Sequence, residues 1–407
     1  MLKKTENYSK TRVTVLGSYG YGNLGDEAIL SAIVSSLKGI APKISLTVFS
    51  NNPEETSKLH NVQSVFFGKS LFGKRFTNMY SVIRELRKTD ILIIGGGGIV
   101  HDMYIFPLIA YLFPALVAKM MGCKVVLYAV GVGPINSKIG KLITRSICGL
   151  ADLLTVRDKD SQETLTKLGL RQQSIHVTAD PALSLEAINE KLLNNIINLE
   201  DIPDDVPLIG VNMRSFYEEL IIFNRRLGLY RVISAKDEEN YQKVMASCCD
   251  YFTERGYNIV FIPMQDIDTK VFVNKIINKL KNKNQIHILS GNYDAPEIIG
   301  IIKKLDLFIG TRLHSLILST LANTPMIALS YSPKVKNFME LINHEDNVIE
   351  IPVLTFDNLI NLANKNMENK NGIKEKIAAE LKVAREVSNQ NALLTKTIIT
   401  QRKHESL

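Results

Sequence analysis

Residues 12–30 read RVTVLGSYGYGNLGDEAIL. RVTVLG is an apolar, β-branched run of strand length. DEAIL opens a stretch, continued by SAIVSSLKGI, that spaces its apolar residues as a helix does. Between the two, Gly20, Gly22 and Gly25 spell G-x-G-x-x-G. A strand that ends in glycines and turns into a helix is the opening unit of a parallel α/β domain.

The same alternation recurs outward from this point. SLTVFS (45–50), DILIIGGGG (90–98), KVVLYAVG (124–131) and DLLTVRD (152–158) are apolar enough to be buried parallel strands. Helical patterns such as NMYSVIRELRKT lie between them. After the acidic, proline-bearing segment near 198–207 the rhythm restarts. PLIGVNMR (207–214), YNIVFIPM (257–264), QIHILSG (285–291), DLFIGTR (306–312) and PMIALSY (325–331) form a second set. The expected organisation is an α/β domain over 1–200, a second over 201–345 and a helical tail over 346–407. Each α/β domain is expected to be doubly wound and Rossmann-like, the two facing each other across a ligand cleft. In the tail Ile373, Ile377, Leu381, Ala384 and Val387 fall at helical steps, which predicts an amphipathic helix packing back across the domains. Residues 215–240 break the rhythm with aromatic and basic residues, as a mobile loop or a plain surface insertion would.

The chain of 407 residues is 45% hydrophobic and 22% charged, with a net charge of +8. That balance fits a globular enzyme with anionic partners, or simply a lysine-rich surface. The apolar stretch at 105–122, IFPLIAYLFPALVAKMMG, carries Pro107 and Pro114 and runs directly into a strand. It is expected to be a buried helix and not a membrane span. The opening MLKKTENYSKTR has no apolar secretory core. A cytoplasmic location is expected, with room for peripheral attachment through basic patches at the inner face of the membrane. Cys123, Cys148, Cys248 and Cys249 show no metal or redox spacing, so reduced, packed thiols are expected. The remaining histidines form no ligand cluster, and no metal is expected. Nor does any nucleic-acid module accompany the positive charge.

The glycine loop does not read as a dinucleotide site. The second strand ends Phe49-Ser50-Asn51-Asn52, without the acidic residue that would hold a ribose. Asp26 stands at the helix N-terminus, where it stabilises the helix and repels a pyrophosphate. It is a helix cap or a functional carboxylate. No NAD and no other cofactor is expected.

Tyr19-Gly20-Tyr21-Gly22-Asn23-Leu24-Gly25-Asp26-Glu27-Ala28 resembles the opening signature of the polysaccharide pyruvyl transferase family. GGGGIVHD (95–102), RDKDS (157–161), GTRLHSLILS (310–319) and SYSPKVKNFM (330–339) resemble its later motifs, in order. The resemblance covers about residues 12–340. It implies a two-domain fold like that of GT-B glycosyltransferases. It also implies transfer of a pyruvyl group from phosphoenolpyruvate to a sugar, usually as a ketal. Gly22, Asn23, Gly25 and Asp26 would then line a sugar or phosphoenolpyruvate cleft.

Gly96, Gly97 and Gly98 expose backbone N–H groups suited to an anion or a close sugar, or form a tight strand-to-helix turn. Asp102 binds acceptor hydroxyls or caps a helix. Arg312-Leu313-His314 follows a strand and opens a helix, where the dipole favours an anion. Arg312 adds a planar fork for carboxylate or phosphate. His314 can exchange a proton near neutrality. Arg214 ends another strand, as a donor contact or a salt bridge between domains. Arg157 is expected to contact an anion, although its neighbours Asp158 and Ser161 could instead cap a helix. Asp180 starts a turn or lends a carboxylate. Lys334 is a phosphate or acceptor contact or an exposed lysine.

The expected function is therefore a pyruvyl transferase, with phosphoenolpyruvate as donor and a sugar or lipid-linked oligosaccharide as acceptor. A glycosyltransferase using a nucleotide sugar, or a non-catalytic anion-binding scaffold, would share parts of this pattern.

Overall fold

The computed structural model describes residues 11–68, 75–215, 234–264 and 266–405. The chain divides into two compact units. The first takes in the chain through Tyr21, Ile29–Pro181 and the chain from Val387; the second takes in Gly22–Ala28 and Ala182–Glu386.

The first unit holds seven strands: β1 (Arg12–Leu16), β2 (Ser45–Ser50), β3 (Gln63–Phe66), β4 (Ile91–Gly95), β5 (Lys124–Val130), β6 (Leu153–Val156) and β7 (His176–Val177). Their order is β3-β2-β1-β4-β5-β6-β7 and every pairing is parallel. Val13 sits between Leu46 and Ile91 in register. Strands β1, β4 and β5 are nearly continuous apolar runs because helices cover both faces of the sheet. Those helices are α1 (Leu24–Ile40), α2 (Pro53–His60), α3 (Arg75–Leu86), α4 (Ile105–Met120), α5 (Lys138–Gly149) and α6 (Lys159–Lys167). The apolar stretch at 105–122 is α4, whose Leu108, Leu112 and Ala115 are fully buried. No described helix is long and apolar enough to cross a membrane.

After a short 3-10 turn, Pro181–Ser184, the second unit continues with α7 (Glu190–Leu199), β8 (Leu208–Asn212), α8 (Ala235–Thr253) and β9 (Asn258–Phe261). Next come α9 (Asp266–Ile277), β10 (Ile286–Ile288), α10 (Ala295–Lys303), β11 (Leu307–Gly310) and α11 (Leu313–Leu321). It ends with β12 (Met326–Ser330), α12 (Pro333–Leu341), β13 (Val348–Glu350), α13 (Phe356–Glu368) and the first part of α14 (Lys370–Glu405). Its sheet runs β10-β9-β8-β11-β12-β13, again all parallel. Ile209, Ile259, Phe261 and Leu307 are fully buried in its core, each worth roughly 1.5–3 kcal/mol of apolar burial.

Helix starts follow sequence chemistry. Ser234 and Asp237 make a reciprocal capping box on α8, and Asp294 and Glu297 make another on α10. Most of the aromatic and basic stretch at 215–240 lies outside the described residues; its end, from Ala235, is helix α8. The tail helix is longer than the periodicity at 373–387 indicates. Its buried Asn391 accepts from Thr155 Oγ1 (2.6 Å) and Thr178 Oγ1 (2.9 Å) and donates to the Ala179 carbonyl (3.1 Å). On the second unit's side, Arg385 donates to the carbonyls of Leu183 and Leu185. All four cysteines are buried and free. Burial pushes the Cys148 and Cys249 thiols up to about 12, so they stay protonated and act as packing groups.

Candidate active site

In both sheets the strand order reverses direction once, between β1 and β4 in the first and between β8 and β11 in the second. Parallel sheets of this kind bind ligands beyond the carboxyl ends of the strands at that reversal. The opening motif and the four-glycine loop follow β1 and β4, and Arg-Leu-His follows β11; RDKDS follows β6 and SYSPKVKNFM begins at the end of β12, farther along each sheet.

Beyond β1 and β4 the surface is made by glycines and backbone. Buried Tyr19 donates from its hydroxyl to the Gly95 carbonyl (2.9 Å), tying the two loops together. Gly96 donates to the Tyr128 carbonyl, and the Gly97 carbonyl accepts from Gly131. Gly96 has φ +66°, and a Cβ there would overlap the Ile29 side chain, so the position requires glycine. Gly98 follows at the partly exposed lip of the loop.

Asp102 turns toward the start of α5. One carboxylate oxygen accepts the backbone N–H groups of Asn136 (2.9 Å) and Ser137 (2.5 Å). Ser137 in turn caps α5 by accepting from Gly140. Arg157 is buried between two carboxylates, Asp158 at 3.3 Å and Asp180 at 3.5 Å. Asp158 is also the N-cap of α6, accepting the Ser161 N–H (2.8 Å). The expected capping arrangement is present, and Asp180 joins it from 23 residues away.

The second unit gathers cationic side chains at its reversal. Asn212 pairs with Gly310 in register across β8 and β11. Arg214 and Arg312 each stand two residues beyond that pair, so adjacent strand ends deliver two guanidinium groups. Arg214 donates to the Tyr331 hydroxyl (3.2 Å), and its guanidinium carbon lies 5.3 Å from that ring's centroid. Nearby, Ser215 donates to the buried Glu238 carboxylate (2.7 Å). Arg312 is the N-cap of α11 and offers that helix no side-chain acceptor. Its first-turn N–H groups and dipole therefore add positive potential where His314 sits. Lys334 is exposed on the first turn of α12, after the neighbouring strand β12. Leu313 is the first residue of α11 and is partly buried.

The residues of the opening motif that belong to this unit, Gly22–Ala28, meet the same group. Leu24 donates to the Met264 carbonyl (3.1 Å). A Cβ on Gly25 would overlap the imidazole of His314. Asn23 caps this end of α1: its side chain accepts from Gly25 N and donates to the Asp26 carboxylate (2.9 Å). Glycine here sets the ring of His314 against the helix backbone.

The sequence reading missed Asn212 and Tyr331. Asn212 is buried at the end of β8 and binds the ends of the two neighbouring strands: its amide donates to Ile262 O (2.8 Å), its side-chain oxygen accepts from Arg312 N (3.3 Å) and its carbonyl from Thr311 N (3.2 Å). A polar residue closing the buried run LIGVN was the available signal. Tyr331 follows β12 directly, within the quoted SYSPKVKNFM.

The sequence profile of the family described as polysaccharide pyruvyl transferase matches residues 23–333. The amylovoran biosynthesis protein AmsJ of Erwinia amylovora is 21% identical, over 93% of this chain and 97% of its own. Among solved structures, UDP-GlcNAc 2-epimerase of Neisseria meningitidis, bound to UDP-GlcNAc, superposes with a TM-score of 0.62 at 11% identity, covering 96% of this chain and all of its own. HepE of Anabaena, in complex with UDP-glucose, gives 0.60 at 13% identity, over 97% and 100% of the two chains. ADP-heptose lps heptosyltransferase II of E. coli gives 0.51 at 14%, over 88% and 99%. At these identities the structures speak for the fold, which is the GT-B-like pair of Rossmann-type domains. The family profile spans both units and every motif from Asn23 to Pro333. By that match the chain is a transferase and belongs to the polysaccharide pyruvyl transferase family.

Proposed function

We propose that the enzyme moves a pyruvyl group from phosphoenolpyruvate to a sugar of a surface-polysaccharide precursor, closing a ketal on two of its hydroxyls. The observation that supports this most directly is the pair Arg214 and Arg312, at matching positions beyond adjacent strands. Phosphoenolpyruvate carries its carboxylate and its phosphate ester on the same carbon. Two neighbouring guanidinium groups and a helix N-terminus match that pair of anions.

The reaction balances without an external oxidant or reductant. Protonation of the methylene carbon leaves an oxocarbenium-like centre at the carbon bearing the carboxylate. One sugar hydroxyl adds there and gives up its proton. The phosphate departs as the carbon–oxygen bond breaks, and a second hydroxyl adds to close the ketal, its proton balancing the charge of the released phosphate. His314 is the proposed acid/base for one of these proton transfers. Gly25, packed on its ring, holds it in place. Lys334 and the Asn23–Asp26 turn are proposed as further substrate contacts.

The decisive experiment supplies phosphoenolpyruvate with a panel of lipid-linked sugars. Phosphate release and a ketal product seen by mass spectrometry are expected. Nucleotide release from a nucleotide sugar, with no turnover of phosphoenolpyruvate, would instead establish a glycosyltransferase.

A further inference from the structure

Helices α3, α4 and α5 lie side by side in the first unit, α4 packing against both neighbours. Their outer surface combines two features that water alone does not favour together. Helix α4, IFPLIAYLFPALVAKM, has Lys119 as its one charged residue. Phe106, Phe113 and Met120 recur every seventh position along it and are 56, 39 and 80% exposed. Helix α5, KIGKLITRSICG, contains no acidic residue. On it Ile139 and Leu142 are 62 and 66% exposed, interleaved with exposed Lys138, Lys141 and Arg145. Helix α3 adds exposed Tyr80 and Arg84, and exposed Arg87 follows directly after it, on the other flank of α4.

We propose that this face docks the enzyme on an anionic lipid surface. An apolar strip between basic flanks meets both halves of such a surface. Phe113, Met120, Ile139 and Leu142 would enter the boundary between headgroups and acyl chains, while the lysines and arginines lie among lipid phosphates. The positive charge selects an anionic membrane, and the side chains supply burial that a soluble anion could not. This deepens the proposed function and rests on it only for the purpose of docking, since a lipid-linked acceptor displays its sugar at such a surface.

The test is co-sedimentation of the full chain with vesicles of equal parts phosphatidylglycerol and phosphatidylcholine, and with phosphatidylcholine alone. Binding to the anionic vesicles is expected, weakening as salt is raised. Combining Lys138→Gln, Lys141→Gln and Arg145→Gln should lower that partitioning roughly 100-fold, at about fivefold per cation. Ile139→Ser with Leu142→Ser should lower it too. Both variants should keep the parent's melting temperature and its phosphate release with a soluble acceptor. Failure of the parent chain to bind anionic vesicles overturns the proposal, as does undiminished binding by both variants. Self-association abolished by Leu142→Ser, without vesicle binding, would make the face a contact between copies and overturn it equally. Vesicle binding requires no donor, so it can hold where the pyruvyl transfer reaction fails, and the reverse.

Discussion

At the first sheet's reversal the chain presents glycines and backbone amides, and two strands farther on, past β6, Arg157 is enclosed by Asp158 and Asp180. At the second sheet's reversal, with the same strand order over all six of its strands, it presents Arg214, Arg312 and His314 around a helix start. The topology is shared and the chemistry is not. Strand order decides where a crevice lies, and the residues two or three past each strand decide what it binds. The same residue type, arginine after a strand, serves the framework in one unit and a proposed anion contact in the other. Arg157 is held between two carboxylates of its own unit, whereas Arg214 lies against the Tyr331 ring and Arg312 opens a helix.

That contrast can be broken by substitution. The largest effect is expected at His314. His314→Ala should lower turnover roughly 100- to 10,000-fold, the usual scale for a positioned acid/base, with donor binding changed far less. His314→Gln, which hydrogen-bonds but does not shuttle the proton, should be about as inactive. Substantial activity in the glutamine variant would reduce His314 to a positioning residue.

The two arginines should then fail in different assays. Arg157→Gln removes the cation facing two carboxylates, one of them only 6% exposed. Breaking a buried pair costs about 3–5 kcal/mol, which should lower the melting temperature by roughly 10 °C. Arg312→Lys keeps the charge but loses the fork. It should leave melting unchanged and lower kcat/KM for phosphoenolpyruvate by roughly 30- to 1,000-fold, a loss of about 2–4 kcal/mol. Were Arg157→Gln to melt normally and lose turnover, the first crevice would have to be read as a ligand site like the second.

Much of this was legible in the sequence because it is local. Ten of the thirteen strands are apolar runs long enough to stand out, and each motif sits at the end of one. The three that did not stand out, β3, β7 and β13, are short strands at or beside sheet edges; QSVF is largely exposed, and β7 has only two residues. Periodicity has nothing to register there. Strand order is not legible either, since pairing Val13 with both Leu46 and Ile91 is a tertiary fact. The same limit applies to Arg157: its neighbour Asp158 is visible in the sequence, whereas Asp180 reaches it only through the fold. Asp102 shows how one residue can satisfy a motif while its carboxylate is spent on the start of α5. Asn391 is the extreme case, a polar residue in a tail helix that bonds strands more than two hundred residues earlier.

The smallest expected effect sharpens the comparison most, because it sets one glycine against another. Gly96 needs its φ of +66°, and its missing Cβ makes room for Ile29, a framework side chain. Gly96→Ala should therefore cost on the order of 2 kcal/mol of stability, from the left-handed backbone and the overlap together. Gly25 lies in the first turn of α1, with no positive φ, and its missing Cβ makes room for the ring of His314. Alanine suits a helix better than glycine by up to about 1 kcal/mol, which offsets part of the overlap with the ring, so Gly25→Ala should destabilise less than Gly96→Ala. Its turnover should nonetheless fall roughly 10- to 100-fold, because displacing a reacting group by about an ångström is enough for that. The double variant isolates the cause. In a His314→Ala background there is no ring to displace, and Gly25→Ala should then cost almost nothing further, a non-additivity that marks two residues acting as one. A full, additive loss in that background would mean that Gly25 serves the substrate directly, and the imidazole would lose its assigned support.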